Sequence, residues 1–155
     1  MPGVLRSLGA LAALALAACT TQGRPKPEEA NLGVSALSVD FPKADEGLLE
    51  FSVPLPEKAP PLRGVSWELW VRGRRFATGL EGSPVVVDVP GGRQVQLSAP
   101  LVFRHVGWRE GSAWLEVRLS GELLVGDEGA PAGLPFHVQR EVLAHGVPEL
   151  DEARE

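Results

Sequence analysis

Residues Val65–Leu80 read VSWELWVRGRRFATGL, and this stretch decides the fold. Val65, Trp67, Leu69 and Val71 alternate with Ser66, Glu68, Trp70 and Arg72. A period of two is the mark of a strand with one buried face, because successive side chains point to opposite sides of the pleat. Arg72-Gly73 then supplies a two-residue turn, and Arg75 to Leu80 returns as the second arm of a hairpin.

The same alternation extends in both directions. Upstream, Leu32 and Val34 lead into Leu37, Val39 and Phe41, with a bulge expected near Ser35-Ala36. Leu49, Phe51, Val53 and Leu55 form a second run. Pro54 donates no ladder hydrogen bond, so that strand is expected to end there or to lie on an edge. Downstream, Val85 to Val89 is a short β-branched run closed by Pro90-Gly91-Gly92, and Val95 and Leu97 alternate after it. Leu115, Val117 and Leu119 open a run that continues to Val125, Gly126 to Gly129 turn the chain, and Phe136 to about Ala144 is the last strand. One segment breaks the pattern. In Ser98 to Trp108, Ser98 suits a helix cap, Pro100 suits a first turn, and Val102, Phe103 and Val106 share one helical face. A short helix is expected there, with an irregular strand as the alternative. The sum is an all-β fold: an Ig-like or fibronectin-III-like antiparallel β-sandwich of seven or eight short strands with one short helix.

The 155 residues are enough for one domain. The 18 glycines and 14 prolines fall between short apolar runs and point to turns. Lys and Arg number 15 against 20 Asp and Glu, a balance that argues against a nucleic-acid partner. The single Cys excludes an intrachain disulfide.

That Cys closes a distinct N-terminal segment. Arg6 is followed by Leu8 to Ala18, an apolar run of Leu and Ala that is too short to span a bilayer, which needs about 20 residues. The run ends in Leu16-Ala17-Ala18-Cys19, which resembles the lipobox of bacterial lipoproteins. Small side chains fit the peptidase cleft, and the thiol accepts a diacylglyceryl group. Residues 1–18 are therefore expected to be a secretion signal and Cys19 the lipidated N-terminus, which makes the membrane a partner. Thr20, in place of the Asp often found after Cys in inner-membrane lipoproteins, favours the outer membrane facing the periplasm. Residues 19–31 are polar and hold two prolines, as a tether would. Residues 32–147 form the domain, and 148–155 a charged tail.

The central hairpin, with its lead-in Pro60-Pro61-Leu62-Arg63-Gly64, resembles that of the LEA (late-embryogenesis-abundant) type 2 family, which includes the water-stress and hypersensitive-response (WHy) domains. The shared features are a proline-rich approach, an alternating strand, a Gly-Arg turn and a return strand ending in glycine at Gly79. Val117 to Leu123 is similar to the family's later glycine-bearing strand, and Leu134-Pro135-Phe136 to its last one. The family's Asn-Pro-Asn ahead of the hairpin is replaced by Leu55 to Pro60. The resemblance spans about Leu32 to Val147. It implies a fibronectin-III-like sandwich with one helix and a non-enzymatic role in desiccation and stress tolerance, here at the cell envelope.

The residues themselves offer no catalytic motif, no cofactor site and no metal-ligand spacing. His105, His137 and His145 are scattered and read as surface residues; Asp127-Glu128 reads as a solvated turn, and Asp88 as the outward residue of a strand. The tryptophans are the other candidates. Trp67 shares the apolar face and belongs to the core. Trp70 and Trp114 share faces with charged residues, and with Trp108 they form a candidate patch for an envelope protein or a glycan, unless a helix or loop covers them. Two functional expectations follow: a LEA type 2 lipoprotein in envelope stress and desiccation protection, or an Ig-like interaction module serving as accessory subunit or ligand-binding component of an envelope complex.

Overall fold

The computed structural model describes residues 31–102 and 107–149. Eight strands run in order: β1 (Ala36–Lys43), β2 (Glu46–Leu55), β3 (Leu62–Val71), β4 (Arg74–Glu81), β5 (Val85–Val89), β6 (Gly92–Val102), β7 (Gly107–Val125) and β8 (Ala132–Glu149). They form four antiparallel hairpins that alternate between two sheets, with orders β1-β2-β6-β5 and β4-β3-β7-β8. In an Ig-type sandwich strands A-B-E-D face C-F-G, and this chain has that order with β4 added beside β3, where variable-type domains add theirs.

Between the sheets the alternating residues meet. Val39, Phe41, Leu49, Val53 and Val95 from one sheet, and Val65, Leu69, Leu115, Val117 and Leu119 from the other, have no measurable exposure. Each such burial stabilises by roughly 1.5–3 kcal/mol before chain entropy is counted. Trp67 is the largest core side chain of β3, and its neighbours are sized for it. It lies directly opposite Gly79 on β4 and Gly121 on β7, and Gly121 is in turn opposite Phe136. A Cβ on Gly79 would stand 2.3 Å from the Trp67 ring, and one on Gly121 would stand 2.0 Å from the Ser66 carbonyl oxygen. Gly79 thus makes room for the indole and Gly121 for the Ser66–Trp67 backbone and the Phe136 ring, and Phe136 continues the layer to Phe51, with ring centroids 5.5 Å apart.

The turns follow their residues. Arg72 and Gly73 both have positive φ, 50° and 77°, as a type I′ hairpin turn requires. The loop without the Asn-Pro-Asn side chains closes through backbone instead, the Ala59 N–H donating to the Pro56 carbonyl at 3.0 Å.

Two expectations are corrected, and a third is met by one of its two alternatives. No helix occurs among the described residues: Ser98–Val102 completes β6, and Gly107 and Trp108 begin β7, while 103–106 lie outside the described residues. The inward alternation of Val95, Leu97 and Leu101 continues past Ser98, so the pleat prevails over the cap-like composition. Pro54 is the penultimate residue of β2, so the strand ends there as expected, but it does not lie on an edge, because β2 lies between β1 and β6. Ser52 turns its carbonyl toward β1, and Pro54, two residues on, turns the same way, beyond the last β1–β2 pair at Ala36 and Ser52. Pro100 is placed by the same rule on the β5 side of β6, beyond the last β5 pair at Val85 and Gln96. Finally, β8 runs on to Glu149 instead of ending near Ala144, so the first two residues of the expected tail belong to the sheet. The register shift of β1 falls between Asp40 and Lys43; near the expected bulge, the Ser35 N–H donates to Ser52, the residue opposite Ala36.

Candidate functional site

The outer face of the β4-β3-β7-β8 sheet carries two of the three candidate tryptophans. Trp70 on β3 lies opposite Arg75 on one side and Arg118 on the other. The Arg118 guanidinium carbon sits 4.2 Å from the Trp70 ring centroid, a cation–π contact, and the Trp70 Nε1–H donates to Glu68. Glu68 also faces Arg75 at 3.9 Å. Trp70 is therefore half-buried under its own charged neighbours. Trp114 stands alone by comparison, 65 % exposed, opposite Leu143, itself 47 % exposed. Trp114 lies four positions before Arg118 on β7, about 13 Å along the strand. The row between them pairs Glu116 with Glu141.

Trp108 does not join this face. It packs against the core, and its Nε1–H donates to the Phe41 carbonyl at 2.9 Å. Gly146 makes the approach possible: its φ is 79°, and a Cβ there would stand 2.0 Å from the Phe41 oxygen. Cys19 and His105 lie outside the described residues.

The other two histidines belong to a seam the sequence did not reveal. The free edge of β8 is closed by the segment leading into β1. The Asn31 side chain acts like a short strand, its Oδ1 accepting the His137 N–H at 2.6 Å and its Nδ2 donating to the His137 carbonyl at 3.1 Å. The Leu32 N–H donates to the Pro135 carbonyl, Arg140 donates to the Val34 carbonyl, and Asp40 Oδ1 accepts the His145 N–H at 3.0 Å. Edge strands left bare pair with other chains, and this one is capped at Pro135, His137 and His145. Ser112 Oγ lies 2.9 Å from His145 Nδ1, but Asp40 binds the backbone of His145 rather than its ring. The three groups do not form a relay that would orient the imidazole for nucleophilic work.

Elsewhere, Asp88 lies opposite Arg93 on an exposed edge. Glu128 reaches Arg63 at 3.5 Å, and Asp127 turns the chain through the Ala130 N–H. A shallow groove of about 440 Å³ lies against the β1-β2-β6-β5 sheet, with Ser38, Ser52, Ser98, Glu50 and Gln96 among its walls. Among the described residues, no three His, Cys, Asp or Glu side chains are grouped to hold a metal ion, and no helix is long and apolar enough to cross a membrane.

Comparison with protein-family models, curated proteins and solved structures returns no match to this chain.

Proposed function

We propose that this chain is a membrane-tethered, non-enzymatic domain of the LEA type 2 kind, acting at the bacterial cell envelope in protection against water loss. One observation carries the reading: the residues on which the resemblance rests act together physically. The Gly-Arg turn joins β3 to β4, and the two motif glycines, Gly79 and Gly121, flank Trp67 in one row of the core. The lipobox ending in Cys19 supplies the tether, and the secretion signal ahead of it supplies the address. Two or more acyl chains hold a protein at a bilayer stably where a single chain does not. Survival of a deletion strain after desiccation and osmotic shock tests the role. Reduced survival, restored by the intact gene and not by a Cys19→Ser version, is expected; survival equal to the parent contradicts it.

A second reading, an interaction module of an envelope complex, is favoured by the exposure of Trp114 beside Leu143. Affinity capture with the anchored chain separates the two, since the protective role requires no stoichiometric partner.

A further inference from the structure

Beyond the tip of the β3–β4 hairpin, β7 and β8 continue together and β7 loses its neighbour. The last β3–β7 pair is Val71 with Val117, and the Arg72 N–H then donates to the Glu116 carbonyl. Backbone groups two residues apart on a strand point the same way. The N–H and C=O groups of Trp114 and Ser112 therefore face the place where β3 would continue, and no described residue pairs with them there. The opposite side confirms this register: His137 and His145, an even number of residues from Leu143, turn their N–H groups to the β1 side, so Leu143 and Trp114 do not bond each other's backbone.

The side chains above this open edge have a missing complement. Glu116 and Glu141 are exposed and directly opposite, a like-charge pairing that costs stability. None of the ion pairs among the described residues includes either one; the Glu116 carboxylate receives the neutral Gln139 amide at 3.3 Å. Trp114 adjoins both carboxylates. The same sheet shows the same set of groups completed at Trp70, where a carboxylate takes the indole N–H and the Arg118 guanidinium lies over the ring. At Trp114 the indole and the carboxylates are present, and among the described residues no cation lies over the ring.

We infer that this face docks a basic, extended segment of a partner protein, which lays an Arg or Lys over Trp114 between Glu116 and Glu141 and pairs its backbone with β7 at Ser112 and Trp114. The net charge of −5 favours such a partner over an anionic lipid surface. The inference rests on the interaction-module reading and not on the protective one.

The test uses the full chain in a non-ionic detergent and a fluorescent, short alternating Arg–Val peptide, read by anisotropy. Binding that weakens with salt is expected. Trp114→Ala should weaken it about tenfold or more, as loss of a central aromatic anchor does. The Glu116→Gln/Glu141→Gln pair should weaken it and flatten the salt dependence, and a peptide N-methylated at alternate residues should bind poorly. All the substituted positions are exposed, and unchanged thermal melting verifies that the variants fold. Peptide binding indifferent to Trp114→Ala or to the double variant overturns the inference. So does equal binding of the Glu–Val counterpart or of the N-methylated peptide, or Trp114-dependent binding to phosphatidylglycerol vesicles or to peptidoglycan fragments in place of the peptide. A stoichiometric envelope partner captured equally by wild type and Trp114→Ala preserves the interaction-module reading while overturning this site.

Discussion

A methyl group at Gly121 has nowhere to go: the Ser66 carbonyl, Phe136 and the Trp67 backbone all lie within 3 Å of where it would sit. Gly121→Ala is expected to destabilise the domain by about 1–3 kcal/mol, in the range of overpacked cores, measured as a lowered midpoint in urea unfolding. Leu119→Ala removes fully buried methyl groups and should cost about 2–5 kcal/mol in the same measurement. Arg118→Ala strips the cation from Trp70 and should cost about 0.5–1 kcal/mol, because that face is wet. At this scale the sequence was a good guide wherever alternation spoke. Trp67 shares a parity with Val65 and Leu69 and is buried with them, and Trp114 shares one with Glu116 and is exposed. Trp108 was misplaced with the outer tryptophans because its position depends on a register shift between Arg109 and Ser112 and on the Gly146 approach, which no local pattern announces.

Elements were legible in proportion to their regularity. The central hairpin, with its Arg72-Gly73 turn, needs no distant information, and it formed as read. The described parts of Ser98 to Trp108, where a helix was expected, are strand, because cap and first-turn residues are equally at home on a strand that has lost one neighbour. Pro100 sits where β5 has not begun, just as Pro54 sits where β1 has not begun, so neither removes a ladder hydrogen bond. The seam between β8 and the segment before β1 lay beyond sequence reading, since its contacts join residues more than 100 apart. It yields a prediction for the element. Asn31→Ala should speed hydrogen exchange at the His137 amide, and Asp40→Ala at the His145 amide. Each should do so by severalfold to about tenfold, the equivalent of one hydrogen bond of roughly 1 kcal/mol. Unchanged exchange at both sites would mean that the seam does not hold the edge.

At the scale of the whole molecule, alternation and turn spacing were sufficient for an all-β sandwich, and the pairing of β2 with β6 and β3 with β7 came only from the structure. Period-two patterns state which face of a strand is buried and are silent on which strand lies beside it. Function divides in the same way. The described residues present the Trp70 and Trp114 surfaces, and the envelope address we propose rests on the N-terminal segment, which lies outside them. The most direct measurement is metabolic labelling of the producing bacterium with radioactive palmitate, followed by membrane fractionation and mass analysis of the mature chain. A labelled protein that begins at Cys19 and sediments with the outer membrane is the predicted result, with label and cleavage both lost in Cys19→Ser. An unlabelled, freely soluble wild-type chain, or label that persists in Cys19→Ser, would contradict it.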